Sequence, residues 1–333
     1  MIRPLPLLAA ALAVAVLVSL SLGPAPLTWA DMLRALAGDG DPRMVLIVQQ
    51  IRLPRALMGV MVGGALGMTG AALQGLLRNP LAEPGIIGTS AAAGLGAVIA
   101  LYFGWAGLFA PAVPLAAMTA AALATVGLLA VAGRQGETLT MILAGIAVSS
   151  LAVALTSLAM NLSPNPFALS EMVLWLLGSL KDRSLDDVAL AAPFMAAGAA
   201  LLMRCRRGLD ALTLGEETAA SLGVSLRRLR LAVVAGTALA VGAAVAAVGS
   251  VGFVGLVVPH LLRPLVRHRP SALLVPCALG GGVLVTVADV AVRVIPSHSE
   301  LMLGVVTSLV GAPFFLALIL RTRRGWHDRA DRP

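Results

Sequence analysis

The sequence predicts an all-α polytopic membrane protein of about ten transmembrane helices, one of them short or broken near residues 249–262. Three observations predict it. Apolar residues make up 59% of the 333-residue chain and charged residues only 12%, where a soluble domain carries about 25%. Mean hydropathy is +0.95. The 24 basic residues, all arginine except Lys181, cluster between long uncharged runs. So apolar a chain is hard to fold in water.

A membrane helix needs about 20 apolar residues, so uncharged runs convert into spans. Pro4–Ala30 is the first. Arg3 and Thr28-Trp29-Ala30 give it the flanks of a secretory signal, but its 27 uncharged residues exceed the about 7–15 of a signal core. It reads as a helix that stays. Ala56–Leu77 is the second span. Pro84–Gly133, broken by Gly104, Gly107, Pro111 and Pro114, makes two. Thr138–Ser170 and the shorter Val188–Met203 follow, and Pro270–Ala288 and Leu301–Leu320 close the series. Leu231–Leu262 has 32 residues, too few for two full helices, yet arginine clusters flank it on both sides. Gly249, Gly252 and Gly255 let a broken or partly extended segment return the chain, provided other protein buries that backbone or it lines a cavity.

Ten spans put 17 of the 24 basic residues on one side and 7 on the other. The richer side is expected to be cytoplasmic, with both termini there. Loop charge that sets topology also accounts for the net +8 better than nucleic-acid binding does. Cys205 lies among Arg204, Arg206 and Arg207 in an expected cytoplasmic loop, so no disulfide is expected. The one lysine stands in Gly178-Ser179-Leu180-Lys181-Asp182, which cannot serve as a phosphate-binding loop, since that requires Gly-Lys-Ser/Thr. If nucleotide powers this protein, another chain binds it. Gly59, Gly63 and Gly67 repeat every four residues, a stripe that serves close helix packing within the chain or a contact with another subunit.

Four segments carry more than hydrophobicity. Arg52-Leu53-Pro54-Arg55 lies on the arginine-poor side, with proline suited to a first helical turn and two arginines sharing an outward face. Two readings stand open: an anchor that snorkels to headgroups and a fork that docks a partner's carboxylates. Leu73 to Gly85, with Arg78-Asn79-Pro80-Leu81-Ala82-Glu83-Pro84, is a stiff elbow. It is either a plain turn or a structure at a pore mouth. Leu212 to Val224 holds a short helix bracketed by glycines, with Glu216 and Glu217 in its first turn. It is either a solvated loop helix or one that fits a partner's groove. Gly249 to Arg263 includes His260 with no companion ligands, so no metal site is expected. Asp289 and Arg293 are four apart with the acid first, the favoured helical pair. No motif for covalent or hydrolytic catalysis appears.

Together these stretches resemble the FecCD-type permeases of type II ATP-binding-cassette importers, which carry iron–siderophore complexes, haem or cobalamin. The match comprises Arg52-Leu53-Pro54-Arg55, Arg78-Asn79-Pro80-Leu81-Ala82, Leu214-Gly215-Glu216 with Ala219 and Ser221-Leu222-Gly223, Gly252 through His260, Asp289 with Arg293, Gly311-Ala312-Pro313-Phe314-Phe315, and Trp175-Leu176-Leu177-Gly178-Ser179-Leu180. With no soluble domain or long linker visible, the chain reads as a single transmembrane permease domain over 1–333; the resemblance, which runs from about residue 45 to 320, implies a cytoplasmic coupling-helix loop at 208–225 within it. It implies an inner-membrane complex of two permeases, identical or related, two ATPase subunits and an external substrate-binding protein, with no cofactor in the permease itself. Residue by residue it implies that Arg52, Arg55 and Arg293 dock the binding protein. Asn79 and Leu81 would belong to the cytoplasmic gate. Gly215, Glu216, Ala219, Ser221, Leu222 and Gly223 would couple to the ATPase. Ser149, Ser150, Thr156, Thr307 and Ser308 would line the path. The competing class is an ion-gradient-driven secondary transporter, which wants membrane-embedded acids free to bind an ion. Only Asp289 lies near a span, and it has an arginine four residues away.

Overall fold

The computed structural model describes residues 4–23, 25, 27–109, 111–132, 138–295 and 301–330. Every regular element among them is helical. The first span, α1 (Pro4–Ser21), ends earlier than the uncharged run suggests. Thr28 accepts a bond from the Asp31 amide and starts a separate short helix, α2 (Trp29–Leu36). A further short helix, α3 (Pro42–Leu46), runs through a π-helical turn at Ile47–Arg52 into α4 (Leu53–Leu76). The continuous stretch Pro42–Leu76 is 35 residues long. It begins well before Ala56 because Arg52 and Arg55 find partners inside the protein, so their charges do not end the buried helix.

A 3₁₀ turn at Pro84–Ile87 leads into α5 (Thr89–Tyr102), followed by α6 (Ala112–Ala132), α7 (Thr138–Asn161) and the short α8 (Pro166–Leu176). Next comes α9 (Leu185–Leu212), opened by a reciprocal capping box between Ser184 and Asp187. It is longer than the expected 188–203, and residues 208–212 of the expected loop belong to it. Arg204-Cys205-Arg206-Arg207 continues the helix because arginine is a good helix former. The remaining elements are α10 (Glu216–Ser221), α11 (Leu226–Val248), α12 (Val254–Leu262), α13 (Pro270–Val294) and α14 (Leu303–Ala330). Among the described residues, seven helices are long and apolar enough to cross a membrane. Shorter apolar stretches at Thr89–Tyr102, Pro166–Leu176, Val254–Val266 and Leu303–Ala317 accompany them. The fold is that of a polytopic membrane protein of about ten spans.

Helix α4 is the central post, packed against α9, α11, α12 and α13. The glycine stripe explains how it fits. A methyl group added to Gly63 would collide with the Gly281 carbonyl, one on Gly67 with the Cys277 carbonyl, and one on Gly70 with Gly255. The α4 and α13 backbones therefore touch directly, the small-residue solution for helices in lipid. Helices α6, α7 and α9 instead leave most of their apolar surface outward, as lipid-facing or partner-facing helices do.

The run 231–262 is divided as the glycines suggested. Helix α11 ends at Gly249, whose φ is +76°. Ser250 to Gly252 are non-helical, and Phe253, at φ +65°, caps α12. Such backbone needs protein around it, and it has it. The Ser179 amide donates to the Val248 carbonyl at 2.8 Å, and the Gly304 amide to the Leu177 carbonyl at 3.1 Å. Gly178, Gly249 and Gly304 abut Ser250 and Trp175–Leu177 so closely that none has room for a Cβ.

Candidate functional site

Three sites take shape: an ion-pair cluster at the arginine-poor end, a cavity beside the broken helix, and a set of turns at the arginine-rich end.

At the arginine-poor end, Asp289 on α13 is 2% exposed. Arg55 on α4 meets it with Nη2 at 2.9 Å and Nε at 3.0 Å, and Arg293, one turn along α13, meets it at 3.2 Å. Arg293 also donates to the Ser19 hydroxyl at 2.7 Å and to the Leu22 carbonyl at 3.0 Å. Arg52, 4% exposed, donates to the carbonyls of Leu20 at 2.8 Å and Ser21 at 2.7 Å, and to that of Ala25. The arginines thus cap the carbonyl end of α1, which has unpaired acceptors and the negative end of the helix dipole. The outward, water-facing pair expected from Arg52-Leu53-Pro54-Arg55 is corrected: both side chains turn inward, because a carboxylate and a helix terminus satisfy them there. The Asp289–Arg293 pair was legible from its spacing. Arg55, 234 residues away from Asp289, and Ser19 were not.

The cavity beside the broken helix has a volume of about 550 Å³. Ser250 and Gly252 form one wall, Leu176 and Leu177 another, and Ser308 and Pro313 of α14 a third. It is mostly apolar with few hydroxyls. Of the expected path residues, only Ser308 lines it. Thr307 is buried and donates to the Gly304 carbonyl at 3.1 Å. On α7, Ser149 donates to the Gly85 carbonyl at 3.2 Å, tying α7 to the elbow, while Thr156 is half-buried and Ser150 exposed.

At the arginine-rich end the elbow leaves α4 at Arg78, which adopts φ +49°. Asn79 stiffens it. Its Oδ1 accepts from the Leu81 amide at 2.9 Å and its carbonyl from the Ala82 amide at 3.2 Å, an Asx turn. Ala82 is fully buried, whereas Asn79 and Leu81 are exposed. Glu83 is half-buried beside this turn, and burial pushes its carboxyl above the ordinary range.

The short α10 is presented by design of its ends. Gly215 at φ +106° starts it, and Gly223 at φ +85° ends it. The Val224 amide reaches back to the Ala219 carbonyl at 3.0 Å and the Gly223 amide to Ala220 at 2.9 Å, closing the helix with a left-handed glycine. Ala219 is fully buried against the bundle. Glu216 is held by Arg230 of α11 at 2.7 Å, and Ser221 donates to the Glu217 carbonyl at 3.0 Å. Leu214 and Leu222 are left exposed, at 63% and 64%. Two apolar side chains flank a tethered helix, an arrangement that fits a groove on another chain.

A model of the FecCD transport family matches residues 11–321. The chain is 36% identical over 302 residues to an uncharacterized ABC transporter permease protein, YvrB, of Bacillus subtilis, covering 89% of this chain and 85% of that one. It is 37% identical over 304 residues to the vitamin B12 import system permease protein BtuC of Citrobacter koseri (89% and 92%). It is 35% identical over 317 residues to the Fe(3+) dicitrate transport system permease protein FecD of Escherichia coli (94% and 96%). A solved inward-facing conformation of a metal-chelate type ABC transporter superimposes with a TM-score of 0.85 at 30% identity, covering 94% of this chain and 97% of the other.

Proposed function

This chain belongs to the FecCD transport family, and from that premise we propose that it is the membrane-spanning permease subunit of an ATP-driven importer for cobalamin or an iron chelate. The likeness along nearly the whole chain to the cobalamin and ferric dicitrate permeases carries this reading. The mostly apolar cavity beside the broken helix supports it, since such a wall passes a bulky cargo without gripping it. An ion-gradient mechanism would use an ionisable group free in the membrane. Asp289 is instead neutralised by two arginines.

In this reading two permeases meet at the path, and two separate ATPase chains dock at the arginine-rich end. That end faces the cytoplasm of a plasma-membrane protein, with both termini on that side. Leu222 and the Gly215–Gly223 helix enter the ATPase groove, and Asn79 and Leu81 move as the gate. Ser308 faces the path, with Ser149, Ser150, Thr156 and Thr307 on the helices that frame it. A substrate-binding protein docks over Arg52, Arg55 and Arg293. Arg55 and Arg293 gathered at Asp289 place guanidinium groups beneath this surface, where they attract acidic side chains and steer their approach.

The test is assembly. Co-expressed with its ATPase and binding protein, the chain should purify as a complex of two permeases, two ATPases and one binding protein by native mass spectrometry. A permease that purifies alone under the same conditions contradicts the reading.

A further inference from the structure

Three turns of the arginine-rich end surround a cavity of about 200 Å³. Arg78 at the foot of α4, Arg263 and His268 in the turns after α12, and Thr213 at the end of α9 form its rim, with Gln74 at its floor. No carboxylate lines it. Asp210, one turn before Thr213, is already engaged by the Ser271 amide at 2.8 Å, the Ser271 hydroxyl at 2.6 Å and Arg269 at 3.1 Å. Among the described residues, the side chains of Arg78 and His268 have no hydrogen-bonding or ionic partner. Arg263 donates to the Gln74 side-chain Oε1 and, among the described residues, has no other hydrogen-bonding partner there. Gln74, 2% exposed, is fixed in turn by donating to the Gly255 carbonyl at 3.3 Å. One edge of the Arg263 fork is thereby locked, and its remaining N–H groups are available. Arg78 and His268 both hold left-handed backbone, at φ +49° and +61°, a costly conformation for residues with a side chain.

We propose that this cavity is a binding site for a phosphate anion, either free or carried on the headgroup of an anionic lipid. Phosphate carries a charge of about −1.5 to −2 and three strong acceptor oxygens. Two guanidinium forks and an imidazole, which offers an N–H donor in either protonation state, supply the matching donors. The Thr213 hydroxyl, though it donates to the Asp210 carbonyl at 2.6 Å, borders the same space. The position suits the ligand: basic pockets between membrane helices on the arginine-rich side are where anionic headgroups lodge. A bound anion would join the turn leading to Asn79, the end of the broken helix and the foot of α10. The assignment does not depend on the transport reading.

The experiment uses the delipidated full-length chain in neutral detergent, followed by thermal unfolding and native mass spectrometry. The probes are inorganic phosphate, phosphatidylglycerol and phosphatidylcholine, at matched chloride ionic strength. Phosphate or phosphatidylglycerol should raise the unfolding midpoint, and phosphatidylcholine should not. Arg78→Gln and His268→Gln should each weaken the effect by about tenfold, the value of one charge-assisted hydrogen bond. Arg204→Gln, which removes an exposed arginine outside the cavity, should leave it intact. Stabilisation by phosphate alone identifies a free-anion site, and stabilisation by phosphatidylglycerol alone a lipid site. The proposal is overturned if neither stabilises the protein, if phosphatidylcholine does so equally, or if Arg204→Gln weakens the effect as much as the cavity variants do. Should Arg78→Gln fail to fold, His268→Gln decides alone.

Discussion

Asp289 holds two arginines, and that inequality decides what each substitution does. Asp289→Ala leaves two guanidinium groups buried with their shared carboxylate gone, and breaking such a pair costs about 3–5 kcal/mol. Arg55→Ala leaves Arg293 on the carboxylate, so the loss should be nearer 1–3 kcal/mol. Thermal unfolding in detergent should rank Asp289→Ala well below Arg55→Ala. The reverse order would mean that Arg55 is held chiefly by something other than Asp289. Glu83 gives a pH-dependent case. Its folded pKa is raised, so the folded state binds the proton more tightly than the unfolded chain. Stability therefore increases as pH falls through the folded pKa, and the penalty of the buried charge is felt above it. Glu83→Gln should be neutral or stabilising at pH 7 and should flatten the pH dependence just above the ordinary carboxylate range. A destabilised Gln variant at pH 7 would show that the ionised carboxylate has a partner. At this scale the sequence was legible only locally. Asp289 and Arg293 announce themselves by an i,i+4 spacing. Arg55 and Arg263 do not, because their partners lie on other helices and no period links them.

Elements were legible where charge or glycine marks an end. The break between α11 and α12 could be read because 32 uncharged residues are too few for two full helices, and two basic clusters on one side of the membrane require the chain to return. The limits of α4 and α9 could not, since arginines that end an uncharged run in the sequence continue a helix in the structure once they are paired or reach water. The glycine stripe was legible as close packing, but its partner helix, α13, was not. For α10 the consequence is mechanical. Gly215 and Gly223 set its ends, Ala219 and the Glu216–Arg230 pair tether it, and Leu222 is left exposed, where the proposed ATPase contact would meet it. Leu222→Asp should preserve the permease fold and its thermal midpoint, because the side chain is already exposed. It should abolish co-purification of the ATPase or uncouple hydrolysis from uptake. Normal binding together with normal coupling would remove α10 from the interface. The elbow at Asn79 offers a companion test. Cysteines placed at 79 in both permease copies should cross-link with a yield that changes with nucleotide. A constant yield would leave the elbow a fixed turn.

For the whole molecule, the pattern of charge separates the two ends, and the described helices fill the space between them around α4. Among the described residues, the cavity beside the broken helix is open on one side, where the proposed second permease would complete the path. The central claim is that ATP bound by a partner chain drives movement of cargo through this one. The most direct measurement is uptake of labelled cobalamin and of a ferric chelate into proteoliposomes holding the permease with its ATPase, with binding protein outside. Uptake of at least one cargo should require ATP trapped inside and persist when a protonophore and matched salt abolish all ion gradients. Uptake that collapses with the gradients, or proceeds without the ATPase, would contradict the account.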